Sequence, residues 1–274
     1  MRFRKRRLVQ KFFADRGTHL AAMIAYFALL SFVPLLFCAL ALLGFAGRPD
    51  ESSYLVRELK HVFPEASVAS IVNAVDTARR NWVALGIVGG IAVLWGSLSL
   101  FSVLESACNI VYGRPNRSFL HGKAIALMLM VGSLVTLWAA LLVGSVGFDI
   151  LRRYAGGVMG NGYVAWALSV SASLLGVFVF LFSVYYLLTN APLTMREVVP
   201  GSLAAAILLE ASFQVLPLYL HLSKHVIALQ ALGTSVLLLV WLYVMANVIV
   251  LGAEVNWWFA RRRESLEELG TGLA

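Results

Sequence analysis

Charge is sparse in this sequence, and so are the residues from which soluble chemistry is usually built. Only 13% of the 274 residues are charged and 60% are hydrophobic; ordinary soluble domains carry about 25% charged residues. Length alone would allow one or two soluble domains, but this balance excludes them. The two cysteines, Cys38 and Cys108, lie inside or at the edge of apolar stretches. They offer neither a disulfide framework nor a CxxC metal motif, and small apolar side chains are their simplest role. There is no GxSxG elbow, no Walker loop and no HExxH motif: His221 and His225 are four apart without an acidic residue between them, and His19, His61 and His121 are scattered. The expectation is a chain that is not an enzyme and holds no metal and no cofactor.

What the sequence has instead is long apolar runs. Windows of about 20 residues with almost no charge recur along it, each long enough to cross a bilayer as a helix. The spacing predicts an all-α polytopic membrane protein with six transmembrane helices, over 20–47, 82–108, 123–148, 163–188, 197–220 and 227–258. Three regions follow: residues 1–19 as a basic amphipathic interfacial helix, 20–260 as the six-helix domain, and 261–274 as a cytoplasmic tail. The first apolar run is too long for a cleavable leader and lacks a small-residue cleavage site.

Lys and Arg set the orientation. With the N-terminus cytoplasmic, fourteen basic residues fall inside, among them Arg114, Arg117, Lys123, Arg196 and Arg261–Arg263, and eight fall outside. The bias puts both termini in the cytoplasm. The net charge of +8 thus reads as membrane topology rather than nucleic-acid binding. In the N-terminal stretch, Leu8, Val9, Phe12 and Phe13 can share one face, and Arg4, Lys5, Arg6, Arg7 and Lys11 are placed to hold anionic lipid headgroups. The outer loop 48–81 repeats apolar residues at helical spacing on both sides of Pro64, which predicts two short helices at the outer face.

Small residues at spacing four, such as Gly132, Thr136, Ala140 and Gly144, are packing faces by default. Pro34 and Pro217 fall within the first and fifth spans, where each frees one carbonyl; such kinks either line cavities or only aid packing. Pro200 and Gly201 are expected to open the fifth helix.

Ionisable groups inside a membrane are costly, which makes Glu105, Glu210 and Glu254 functional candidates. Glu210 is near the middle of the fifth span, and Ser202, Ala206, Glu210 and Gln214 recur every four residues as a narrow polar stripe. It is either a proton- or substrate-coupling residue or a hydrogen-bonded structural one. Glu105 stands with Ser102 and Asn109 near the inner end of span two, where hydroxyls either bond their own helix or coat a groove. In span six Tyr243, Asn247 and Glu254 share a face. Trp257 and Trp258 suit the inner aromatic belt and Arg261–Arg263 the cytoplasmic side, so Glu254 sits just inside the boundary. Its helix C-terminus disfavours a negative charge, so it needs a donor, with Arg114, Arg117 or the N-terminal basics as the supply. A structural clamp is the favoured role and a gate residue the second.

Several stretches resemble the YihY / virulence factor BrkB family: AAMIAYFALLSFVPLL (21–36), LWGSLSLFSVLESACNIVYG (94–113), VPG (199–201) and ALGTSVLLLVWLYVMANVIVLGAEVN (231–256). The similarity covers nearly the whole chain and rests on the order and spacing of these pieces. It implies a bacterial inner-membrane protein with six helices. The family's former ribonuclease BN label is regarded as a misassignment, and its members are described as transporters linked to envelope lipids. Family-like positions are Ala25, Tyr26, Ser31, Pro34, Trp95, Glu105, Asn109, Pro200, Gly201, Glu210, Gly233, Trp241, Gly252 and Glu254. The reading that follows is a transporter of an amphipathic or lipid-like substrate, its pathway drawn from Glu210, Gln214, Glu105, Asn109, Asn247, Glu254, Tyr243 and Ser102. The alternative is a non-transporting scaffold for envelope machinery. Membrane lipids are the expected partners, nucleic acid is not, and self-association stays open.

Overall fold

The computed structural model describes residues 8–45, 82–133, 135–136, 162–223 and 234–271, and among these no strand occurs. The helices are α1 (Leu8–Ala14), α2 (Gly17–Phe45), α3 (Trp82–Tyr112), α4 (Phe119–Ser133), α5 (Gly162–Leu188), α6 (Met195–Ser223) and α7 (Thr234–Thr271). Among the described residues, four stretches are long and apolar enough to cross a membrane: Leu94–Tyr112, Val170–Leu188, Met195–Val215 and Val236–Arg262. Gly17–Ser31 and Phe119–Ser133 are shorter apolar helical stretches. The outer loop 48–81, Arg4–Arg7, the third span beyond 136, His225 and Gly233 lie outside the described residues.

The ends of the helices follow local chemistry. The chain turns between α1 and α2 at Asp15 and Arg16, the latter in the left-handed region at φ 57°. The basic N-terminal segment therefore is not one helix running to residue 19. Helix α3 outlasts its expected end at 108 by a full turn. It stops where Gly113 takes φ 63°, its N–H bonding Ile110 O at 3.0 Å while Arg114 N–H reaches Asn109 O at 2.8 Å. This is a Schellman closure, which glycine adopts without a Cβ penalty, and Pro115 then bars further helix.

Helix α6 begins at Met195 rather than at Pro200. At its start the Glu197 carboxylate accepts from Thr194 N–H at 2.8 Å, one half of a capping box, while Glu197 N–H bonds the Thr194 carbonyl at 3.1 Å. Pro200 and Gly201 thus sit in the second turn. Helices α2 and α6 remain helical past Pro34 and Pro217.

The described residues group into two compact units. One combines the N-terminal segment to Thr18, Leu104–Ser212 and the chain from Asn247. Its buried side chains include Val111, Leu181, Val184, Tyr185, Leu188, Val198 and Val250. The other combines His19–Val103 with Phe213–Ala246. In it α2 and α3 approach closely, since a Cβ on Gly96 would lie 3.3 Å from Ser31. Within the first unit α6 and α7 cross backbone to backbone. A Cβ on Gly201 would strike the Gly252 carbonyl, and one on Gly252 would meet the Tyr185 hydroxyl and, at 2.7 Å, Ala205 Cβ. Small residues let helices approach this closely where lipid supplies no hydrophobic drive.

Candidate functional site

Three buried glutamates organise the polar chemistry of the first unit. Glu254, on α7, is fully buried. Its Oε2 pairs with Lys11 Nζ at 2.8 Å, and Lys11 is itself only 6% exposed. The same ammonium donates to Val111 O at 2.8 Å and to Asp15, and lies 4.2 Å from the centre of the Trp257 ring. The ammonium thus donates two hydrogen bonds, to Val111 O and Asp15, and holds the Glu254 carboxylate as an ion pair. The partner comes from the N-terminal basics, one of the expected sources, and not from Arg114, which is exposed, or Arg117, which is engaged elsewhere. Lys11 departs from its expected place at the lipid headgroups. Helix α1 turns Lys11 and Phe12 inward and leaves Val9 and Phe13 exposed, so its four apolar residues do not share one face.

Glu105, 5% exposed on α3, accepts from Arg117 N–H at 3.3 Å and lies 3.6 Å from the Arg117 guanidinium. Arg117 then reaches the end of α5, donating to Leu188 O at 2.6 Å and Thr189 O at 2.9 Å. A cation on the last carbonyls of a helix satisfies orphan acceptors and complements the dipole. Asn109 has no exposed surface; its Nδ2 donates to Asn116 Oδ1 at 3.0 Å and its Oδ1 accepts from Asn190 N–H at 2.7 Å. Asn116 continues to Ser106 Oγ at 2.6 Å, and Asn190 Nδ2 to Pro115 O at 3.0 Å. Gly122 makes room for Glu105, because a Cβ there would lie 2.8 Å from its Oε2. These bonds staple the α3–α4 connection to the end of α5.

Glu210, 7% exposed on α6, accepts at Oε2 from Ser173 Oγ of α5 at 2.7 Å. Ser202 and Ala206 of the same stripe are fully buried, while Gln214 is exposed. Ser102 donates to Leu98 O of its own helix at 2.6 Å, and Ser202 to Val198 O at 2.7 Å. Asn247 and Tyr243 are half-buried on α7. The predicted pathway residues therefore fall into separate groups: Glu105 with Asn109, Glu254 with Lys11, and Glu210 with Ser173. An open cavity of about 390 Å³ beside Arg117 is lined by none of the predicted pathway residues.

Sequence reasoning passed over Asn116, Asn190 and Asn256, and offered Arg117 to Glu254 rather than to Glu105. Asn256 is fully buried, and its Oδ1 accepts from Gly201 N–H at 2.6 Å across the α6–α7 crossing. A signal did exist for the α6 cap, the T-x-x-E spacing of 194–197. For the Asn and Arg contacts there was only a cluster of Gly, Pro and Asn in the connections, which marks turns and not what they touch. No group of His, Cys, Asp and Glu able to hold a metal occurs among the described residues.

Apolar helices of spanning length, small residues at a helix crossing and buried acids paired inside the bundle define an all-helical membrane protein. Comparison with known proteins specifies it further. Residues 8–271 match the family described as virulence factor BrkB, and the chain belongs to that family. It is 25% identical to the ribonuclease-like protein YfkH of Bacillus subtilis, over 95% of this chain and 96% of that one. It is 27% identical to a UPF0761 membrane protein of Pseudoalteromonas translucida, over 88% and 81% of the two chains. A UPF0761 membrane protein of Vibrio parahaemolyticus is 25% identical, over 91% and 79%. No solved structure matches.

Proposed function

We propose that this protein is a transporter of an amphipathic or lipid-like envelope substrate in the bacterial inner membrane, not an enzyme. In this reading it has six spans, both termini are cytoplasmic and α1 lies at the inner interface. The observation that carries the proposal is Glu210, a carboxyl group within an apolar spanning stretch. It accepts a hydrogen bond from the hydroxyl of Ser173 on the neighbouring helix. Intramembrane acids so placed mark ion and substrate routes. The test is reconstitution into liposomes with lipid-flipping and proton-flux readouts, comparing wild type with Glu210→Gln. Loss of both fluxes in the variant is expected. Equal activity in the two proteins would remove Glu210 from the mechanism.

The second reading, a non-transporting scaffold, draws support from the same residue. Glu210 and Ser173 close a hydrogen bond between α5 and α6, and neither lines the cavity beside Arg117. Purification of a stoichiometric partner, with no flux in liposomes, would favour the scaffold.

A further inference from the structure

The cavity of about 390 Å³ lies between α4, the C-terminal end of α5 and the segment that follows α5. Its lining is divided by chemistry. Arg117 and His121, just before and within the first turn of α4, supply its basic groups, while Ile125, Met128 and Leu187 supply apolar wall, with Tyr186 beside them. None of the lining residues is acidic. The nearest carboxylate, Glu105, is buried behind Arg117, at 3.6 Å from its guanidinium. There it fixes the arginine in place together with the Leu188 and Thr189 carbonyls. A guanidinium has five N–H groups, and those two carbonyls take two of them. His121 is exposed.

The basic and apolar groups on this side are separated along the axis of α4. From His121 to Met128 helix α4 rises about 10 Å. Phe119 and Leu120, next to His121, are 75% and 80% exposed, and Met128 is 52% exposed. A basic end beside exposed apolar residues suits the headgroup level of the cytoplasmic leaflet, where anionic lipids and basic residues attract one another.

We infer that this groove is a binding site for an anionic phospholipid, with the phosphate on Arg117 and His121 and the acyl chain along Ile125, Met128 and Leu187. The occupant is a lipid and not a free phosphate, because the groove continues into apolar wall that a phosphate would leave empty. Binding here requires no transport. A protein that moves nothing could hold the same lipid, so loss of flux in liposomes and loss of this site are separate results.

The test uses the full-length protein, delipidated in mild detergent, with lipid binding read by native mass spectrometry. Phosphatidylglycerol is titrated against phosphatidylcholine of the same chains, and glycerol phosphate is added as a competitor. Phosphatidylglycerol should bind about tenfold more tightly than phosphatidylcholine, because the two share the phosphodiester but the choline ammonium of the latter offsets its charge and is repelled by Arg117. Met128→Trp, which fills the apolar end, should weaken phosphatidylglycerol binding about tenfold. His121→Ala, an exposed position that need not disturb folding, should weaken it about threefold to tenfold. Arg114→Gln, a cation outside the groove, should leave it unchanged. Equal binding of the two lipids, or undiminished binding in both Met128→Trp and His121→Ala, overturns the site. So does a loss in Arg114→Gln as large as in His121→Ala, which would mean unspecific attraction. Displacement of the lipid by glycerol phosphate at similar concentration overturns the acyl contact.

Discussion

Glu254 and Glu210 are the same residue type, both buried, both within spanning stretches of helix, and their surroundings differ in kind. Glu254 meets an ammonium that is nearly as buried as itself, brought from the opposite end of the chain by the short helix α1. Glu210 meets the hydroxyl of an exposed serine on the neighbouring helix. The first arrangement ties three chain segments together, because Lys11 also holds Val111 O at the end of α3 and lies against Trp257. The second includes a bond from the Ser173 hydroxyl that ties α5 to α6. The contrast teaches that burial does not by itself assign a role to an intramembrane acid; the chemistry and connectivity of its partner do.

The contrast can be broken most forcefully at Lys11. Lys11→Met leaves Glu254 as a buried charge without its counterion, and breaking such a pair costs about 3–5 kcal/mol. Thermal unfolding in detergent, followed by tryptophan fluorescence, should show a larger drop in Tm than any other single substitution proposed for the two acids and their surroundings. Adding Glu254→Gln to Lys11→Met should restore much of it. A double variant as unstable as the sum of the two single ones would mean the pair is not coupled.

Next in size is the α6–α7 crossing. Gly252→Val would push a side chain into the Tyr185 hydroxyl and Ala205, and overpacking of this kind costs about 1–3 kcal/mol. The same unfolding assay should show a drop for Gly252→Val and almost none for Gly132→Val, since a Cβ on Gly132 meets nothing within 4 Å. Equal drops would deny that close backbone approach is what Gly252 provides.

Arg117→Gln should have an effect of similar size, at about 1.5–3 kcal/mol, the loss expected for charge-assisted bonds to the Leu188 and Thr189 carbonyls. Faster amide exchange confined to the last turn of α5 would identify the cause. Undiminished protection there would mean that other groups close the helix.

The smallest effect on stability is expected at Glu210→Gln, within about 1 kcal/mol of wild type, because the amide oxygen still accepts from Ser173. This variant sharpens the comparison: a change silent in unfolding yet damaging to flux separates Glu210 from Glu254. A Tm loss as large as that of Lys11→Met would place both acids in the same structural class.

Much of this was legible in the sequence. The helical, membrane-embedded character followed from the length and purity of the apolar runs, since unbroken apolar stretches of about 20 residues fit helical spans rather than the short alternating strands of a barrel. The three acids were found by their rarity. Glu254 does need a cation, but not for the expected reason, because α7 continues to Thr271 and puts it more than four turns from the helix C-terminus, beyond the reach of the dipole. It is burial that demands the counterion. Gly201 and Gly252 stood out through family resemblance, without the reason that the crossing supplies. Less legible were the caps and staples. Ser102 was a pathway candidate by type, and its bond to its own helix depends on a rotamer that sequence does not specify. Lys11 was grouped with neighbouring basics because composition does not reveal which way a seven-residue helix turns.

The sequence by itself determined the solvent this protein lives in, the helical answer to that solvent and the few positions where charge enters it, because hydropathy and residue rarity are local properties summed along a chain. Only the tertiary structure decided which cation meets which acid. That choice depends on which faces the helices present to one another and on the geometry of hydrogen bonds a few ångströms long, and these bring Lys11 to Glu254 and Ser173 to Glu210 from distant parts of the chain.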